Sequence, residues 1–460
     1  MNRIAGRSAA VTILVLLLMG GFVFFLVEYF INSPKWVMTP GSPHVYEVQE
    51  NNKQKTGVVT DRDGILLLNM NGDDWTYSTD EQIRKATLHW VGDREGNIEA
   101  PVTPHYYEDV ISYDLLNGLY VYGKDAGSGG AVQLTISAKL QTVALEALGD
   151  RFGTVAVYNY KTGELLCAVT TPTYDPDNIP ENLEEDKAHY DGVYMNRFIQ
   201  VRYTPGSIFK IVTLAAALEN IPEVESQTFT CTGRWDDTEK TVTCEKAHGE
   251  MTLKEAFRKS CNCTFATLAR QMGAQTMQET AKKLRILEPL QFDGLETVAG
   301  NYQAEEYYID LGWSAIGQHK DQINPCTYMR FMGAIAGGGR AARPYVVESA
   351  TDGTNGYQAE IVYADSVMSS ALAQKLQEYM RYAVENEYGD DNFPGLTVCA
   401  KTGTAEKDEG ASNAMFAGFV ADEEYPLAFI VCVEEGGYGS ESAIPIASQV
   451  LAACKEMLDS

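Results

Sequence analysis

Ser207 and Lys210 stand three residues apart in Pro205-Gly-Ser-Ile-Phe-Lys210, with an apolar run from Ile211 to Leu218 behind them. The proline and glycine before Ser207 and the run after it place the serine in the first turn of a helix. Residues three apart on a helix share a face, so hydroxyl and amine can meet. A serine hydroxyl is a poor nucleophile until a neighbour takes its proton, and a deprotonated lysine can do so. The free N–H groups of a helix start favour the negative charge that such an attack develops.

Two further groups fit the same chemistry. Ser260-Cys261-Asn262 follows a helix opened by Thr252-Leu-Lys-Glu255, which has the form of a capping box. Lys401-Thr402-Gly403-Thr404 ends a strand that begins near Leu396. Alternation puts Thr402 and Thr404 on one side of it, and Gly403 removes a side chain where a substrate backbone must approach. A bare S-x-x-K arises by chance about once in a chain of this length. Taken singly, Ser260 and Asn262 read as loop polarity and the third group as a strand end. Lys161-Thr162-Gly163 even repeats the third group's letters, but it lies between two apolar runs and reads as a hairpin turn. The weight lies in the set: three groups, in order, each in a suitable setting.

The elements that must position them follow from period and punctuation. Gly57 to Leu68 reads as strand, Asp-Gly turn and strand. Ala126-Gly-Ser-Gly-Gly130 reads as a linker. Val132 to Ile136 reads as a strand, and Leu140, Val143, Ala144, Ala147 and Leu148 keep helical spacing. Thr154 to Tyr160 and Glu164 to Thr170 flank the Lys161 turn. Residues 207–340 are mainly helical. Strands return at 396–402, 413–420 and 426–433, and a helix from Ile444 to Leu458 closes the chain. Strands at both ends with helices between them predict an α+β domain whose sheet is built from distant parts of the sequence.

A chain of 460 residues has room for two or three domains. Its net charge of −27 repels a polyanion, so no nucleic-acid partner is expected. Ala9 to Val27 runs uncharged for nineteen positions, enough to cross a bilayer as a helix. Arg3 and Arg7 precede it, which puts the N-terminus in the cytoplasm and everything after residue 31 outside. A cleaved signal peptide is the alternative. The Pro-rich stretch Ser33 to Pro43 reads as a stalk. Of nine cysteines, Cys167, Cys399, Cys432 and Cys454 lie in apolar runs and read as small buried hydrophobes. Cys231 and Cys244 flank a polar turn and could pair across a hairpin, which spacing leaves open. Cys261-Asn262-Cys263 has no second ligand pair at a fitting distance, so no metal site is expected.

The set S-x-x-K, S-x-N and K-T-G resembles the signature of penicillin-binding proteins and serine β-lactamases. The likeness extends to Asn196-Arg197, Tyr203-Thr-Pro-Gly-Ser207, Pro172-Thr-Tyr-Asp-Pro176, Gly317-Gln318, Pro325 and Gly337-Gly-Gly339. Asp61-Arg-Asp-Gly64 and Arg84 to Gly92 resemble the membrane-proximal region of class B proteins, the monofunctional peptidoglycan D,D-transpeptidases. The resemblance spans most of 57–460. It implies a β-lactamase/transpeptidase-like catalytic domain at 131–460, an antiparallel sheet flanked by helices. Before it stand a cytoplasmic tip at 1–8, a transmembrane signal anchor at 9–31, and a small mixed α/β membrane-proximal domain with its linker at 32–130. That region is too short for a glycosyltransferase domain.

The resemblance also implies roles. Ser207 attacks the carbonyl between two terminal D-alanines of a stem peptide, with Lys210 as base and Lys401 lowering the pKa of Lys210. The backbone N–H groups of Ser207 and Thr404 form the oxyanion hole. Ser260 passes a proton to the leaving group, and Asn262 holds the substrate backbone. Lys401, Thr402 and Thr404 bind the terminal carboxylate, beside Gly403. Partners are peptidoglycan stem peptides, β-lactams, the plasma membrane and a membrane-embedded glycan polymerase; no metal or organic cofactor is called for. A D,D-carboxypeptidase or β-lactamase, and a non-catalytic sensor of β-lactams or muropeptides, are the rival readings.

Overall fold

Alternating apolar strands and punctuated turns are realised as two main sheets in the computed structural model, which describes residues 15–27, 56–71, 74–101, 130–235, 241–305, 307–351, 356–405 and 411–460. The early strands are β1 (Thr56–Thr60), β2 (Leu66–Asn71), β3 (Asp74–Tyr77), β4 (Ala131–Leu134), β5 (Gly153–Asn159) and β6 (Leu165–Thr171). The middle of the chain gives only short ones: β7 (Thr228–Cys231), β8 (Gly249–Thr252), β9 (Gln291–Phe292), β10 (Leu295–Glu296), β11 (Val347–Thr351) and β12 (Gly356–Gln358). The last three are β13 (Val398–Ala405), β14 (Asn413–Val420) and β15 (Leu427–Val433). The principal helices are α1 (Glu81–Val91), α2 (Ala138–Leu148), α3 (Lys210–Asn220), α4 (Leu253–Arg258), α5 (Asn262–Met272), α6 (Ala274–Lys283), α7 (Tyr308–Ser314), α8 (Pro325–Ala336), α9 (Ser370–Ala383) and α10 (Gly439–Asp459).

The catalytic sheet has the order β13-β14-β15-β5-β6, with every neighbouring pair antiparallel. Every residue of β6, β14 and β15 is buried. Such strands need cover on both faces. Helices α2 and α10 pack on each other and on this sheet, and α8 packs on β14 and β15. This is the expected antiparallel sheet flanked by helices, drawn from both ends of the domain. Lys161-Thr162-Gly163 is the β5–β6 turn, as its surroundings indicated.

The other sheet is β12-β11-β4-β1-β2-β3, so strands from residues 56–77 join strands from 347–358. Asp61 knits it to α2. Its Oδ1 accepts from the backbone N–H groups of Asp63 and Ile65 at 2.9 and 2.7 Å, closing the Asp-Gly turn. Its Oδ2 accepts from Ala138 N at 2.9 Å, capping α2, whose own N-cap Ser137 makes no side-chain cap bond. Asp61 is fully buried. Asp61→Ala, which orphans these donors, should lower stability by about 1–3 kcal/mol, read from the denaturant midpoint.

Arg84 of α1 clamps the segment after β6: its Nε and Nη2 donate to the two carboxylate oxygens of Asp175, each at 2.7 Å. Trp90 Nε1 donates to Ala168 O of β6 at 2.6 Å. The two stretches Arg84–Gly92 and Pro172–Pro176 are thus halves of one contact.

Among the described residues, no helix is long and apolar enough to cross a membrane. Residues 15–27 are helical, with Leu16, Leu17, Leu18, Phe22 and Phe24 exposed. The remainder of the expected 9–31 span, the Ser33–Pro43 stalk and linker residues 126–129 lie outside the described residues.

Candidate active site

Gly206–Phe209 forms a 3-10 turn that runs straight into α3. In a 3-10 turn, side chains three apart eclipse, and Lys210 Nζ accordingly lies 2.8 Å from Ser207 Oγ. The turn is pressed against β13. Gly206 has φ +54, and a Cβ there would overlap the Thr404 carbonyl. A Cβ on Gly403 would come within 2.8 Å of Pro205 O. Gly403 therefore makes room for the nucleophile's own turn, a correction to the expectation that it clears space for substrate.

The capping box of α4 is present as read: Glu255 N donates to Thr252 Oγ1, and Thr252 N donates to Glu255 Oε2, both at 3.3 Å. After α4 the chain turns at Ser260, which holds φ +51, and enters α5 at Asn262. This brings Ser260 Oγ to 2.9 Å from Ser207 Oγ. Lys210 Nζ lies 2.9 Å from Ser260 Oγ, 2.8 Å from Ser260 O and 2.6 Å from Asn262 Oδ1. Asn262 Nδ2 donates to Thr243 O at 2.7 Å. An ammonium has three protons for these four oxygens. A neutral amine instead gives two N–H bonds, to Ser260 O and Asn262 Oδ1, and turns its lone pair to Ser207.

Electrostatics favour the neutral amine. Burial, and after it the charge of Lys401, hold the Lys210 ammonium well below the usual lysine range. Burial likewise brings Lys401 down to about 7. Lys401 is fully buried, its Nζ donating to Thr402 O at 3.1 Å and lying 5.9 and 5.8 Å from the Phe257 and Tyr388 rings. It does not line the cleft. Thr402 and Thr404 do, on the one side that alternation indicated.

The cleft holds roughly 450 Å³ and is lined by Ser207, Ser260, Asn262, Thr402 and Thr404 together with Trp313, Gln318 and Tyr438. Gln318 Nε2 donates to Thr404 O at 3.4 Å, and Tyr388 accepts from Thr402 Oγ1 at 3.2 Å. Trp313, Tyr388 and Tyr438 had no signal in the sequence, being single aromatics among many; Gln318 lay within a quoted likeness but had no assigned role.

The cysteines divide. Cys167, Cys399, Cys432 and Cys454 are buried in the elements expected of them. All nine thiols are free, so Cys231 and Cys244 do not pair. Instead the β7–β8 hairpin carries both to the start of α5. Cys244 Sγ lies 3.8 Å from Cys231 Sγ, 3.8 Å from Cys261 Sγ and 3.5 Å from Cys263 Sγ. The second ligand pair that spacing failed to show is supplied by the fold.

A serine held by a buried lysine and a second serine, under the edge strand of an antiparallel sheet, defines the class of lysine-activated serine acyl-enzymes. Residues 153–452 match the penicillin-binding protein transpeptidase domain, and the chain belongs to that family. The peptidoglycan D,D-transpeptidase PbpA of Mycolicibacterium smegmatis is 29% identical over 363 residues, covering 71% of this chain and 72% of PbpA. Penicillin-binding protein A from M. tuberculosis, as its penicillin G acyl-enzyme complex, is similar with a TM-score of 0.74 and 25% identity over 88% of this chain and 100% of that one. The D,D-transpeptidase domain of a peptidoglycan glycosyltransferase from Eggerthella lenta has a TM-score of 0.74 and 25% identity over 88% of this chain and 99% of its own.

Proposed function

We propose that this protein is a peptidoglycan D,D-transpeptidase that cross-links stem peptides through an acyl-enzyme on Ser207. The observation that carries the reading is Ser207 Oγ within hydrogen-bond distance of both Lys210 Nζ and Ser260 Oγ at the cleft. Lys210 takes the proton as Ser207 Oγ bonds to the carbonyl carbon between the two D-alanines. The C–N bond breaks, and the proton passes through Ser260 to the leaving D-alanine amine. The amine of a neighbouring stem then bonds to the same carbon and releases Ser207, which recovers a proton. Backbone N–H groups of Ser207 and Thr404 face the oxyanion. Asn262 holds the peptide backbone, the Thr402 and Thr404 hydroxyls meet the terminal carboxylate, and Lys401 acts through its charge on Lys210. β-Lactams enter as strained amides with a similarly placed carboxylate. Residues 9–31 anchor the chain in the plasma membrane with the N-terminus cytoplasmic, a reading supported by the exposed apolar helix at 15–27. Resemblance to class B proteins adds a membrane-embedded glycan polymerase as partner.

The test is mass spectrometry of the full-length protein after exposure to penicillin G. A single adduct on the peptide carrying Ser207 that persists once free drug is removed is the expected result. Rapid release would identify a β-lactamase instead, and an adduct elsewhere, or none on folded protein, would overturn the reading.

A further inference from the structure

Helix α9 does not stop at Ala383 but widens into a π-turn over Val384–Tyr388, closed by Gly389 N donating to Val384 O at 2.8 Å. Such turns are rare and gather at functional sites. Side chains hold this one in place. Arg258 Nη1, two residues before Ser260, donates to Glu387 Oε2 at 2.6 Å. Asn392 Nδ2 donates to Tyr388 O at 2.6 Å. The Tyr388 ring meets Phe416 of β14 edge-on, with centroids 5.9 Å apart, and Phe416 is the cross-strand partner of Thr402. The turn thus delivers the Tyr388 hydroxyl to Thr402 from behind the cleft wall.

Thr402 is held there at three atoms. Its N donates to Tyr388 Oη at 3.4 Å, its Oγ1 donates to the same oxygen at 3.2 Å, and its O accepts from Lys401 Nζ at 3.1 Å. A threonine hydroxyl has one proton. While that proton points to Tyr388, Thr402 offers the cleft only lone pairs, which repel a carboxylate. Tyr388 can relieve this. Its hydroxyl has a proton of its own, and among the described residues it hydrogen-bonds to Thr402 alone. Hydroxyl hydrogens rotate to suit their partners. With the 3.2 Å bond reversed, Tyr388 donates to Thr402 Oγ1 and the Thr402 proton swings into the cleft. Hydroxyls in series polarise one another, and a hydrogen bond to an anion is charge-assisted. Tyr388 is only 8% exposed. Burial pushes its phenol up to about 12, so it keeps its proton through the neutral range.

We propose that Tyr388 is a positioning residue that reverses its hydrogen bond with Thr402 when a ligand's free carboxylate enters, turning Thr402 into a donor and making the cleft selective for acids over their neutral esters. The role rests on the transpeptidase reading of the same cleft. Only hydrogen bonds change, and each proton stays on its own oxygen.

The experiment measures acylation of the full-length protein by penicillin G and by penicillin G methyl ester, in wild type and in Tyr388→Phe. The phenylalanine keeps the ring against Phe416 and removes only the hydroxyl. Wild type should prefer the acid. Tyr388→Phe should lose about 10-fold or more of the acid's rate, the range of a hydrogen bond to a charged group, and none of the ester's, so the preference collapses. An equal fall for both would mean a purely structural role and overturn the proposal, as would an unchanged acid rate. A double-mutant cycle checks the path. Thr402→Val should slow the acid, and Tyr388→Phe added to it should slow the acid no further; a second fall would place Tyr388 outside the Thr402 relay and overturn it. Folded wild type with no adduct on Ser207 would instead overturn the transpeptidase reading, and this role with it.

Discussion

Lys210→Met is expected to slow acylation of Ser207 by a fluorescent penicillin by about 10²- to 10⁴-fold, the range of a positioned general base. The methionine fills similar volume but cannot take the Ser207 proton. It also leaves Ser260 O and Asn262 Oδ1 without the donor that holds them at 2.8 and 2.6 Å. Ser207→Ala, measured beside it, should not label at all, and thermal melting of both separates lost chemistry from lost fold. The pH profile gives the sharper check. The Lys210 ammonium is held below the usual lysine range by burial first and by the Lys401 charge second. Wild-type acylation should therefore rise with pH as Lys210 loses its proton, well before a free lysine would. Lys401→Met removes an opposing cation, so the Lys210 pKa goes up and the rising limb moves to higher pH. A limb that stays in place would remove Lys401 from the proton's management.

Arg84→Ala should cost about 3–5 kcal/mol at neutral pH, because it leaves a carboxylate buried without its cation. Arg84 and Asp175 have side chains only 10% and 5% exposed. The Arg84 guanidinium holds the Asp175 carboxyl well below the usual carboxylate range. An acid with a depressed folded pKa contributes stability that is complete above its unfolded value, about 4, and is lost as pH falls through the folded one. The gap between wild type and Arg84→Ala should thus be constant from neutral pH down to about 4 and narrow in stronger acid. Denaturant melts across that range test it, and a gap that does not close in acid would mean the arginine acts through packing alone.

What was legible before folding was local. The capping box at Thr252–Glu255, the turn at Lys161-Thr162-Gly163 and the shared face of Thr402 and Thr404 each depend on contacts within a few residues. Periodicity and punctuation report such contacts directly. The burial of Cys167, Cys399, Cys432 and Cys454 was legible for the same reason, since each sits in an apolar run. Gly403 shows the limit. Its lack of a side chain was visible, but the Pro205 carbonyl that requires it lies almost two hundred residues earlier in the chain.

The sequence by itself determined the chemical groups and their local settings: a serine one turn from a lysine, a serine and asparagine at a helix start, two threonines on one strand face. Only the tertiary structure decided that Ser207 and Ser260, 53 residues apart, hydrogen-bond, that Lys401 is buried behind the cleft wall, and that four cysteines share one corner. Side-chain period and capping are properties of a single segment, fixed by backbone geometry. Distances between segments depend on which helices cover which sheet, and that follows from the packing of the whole core.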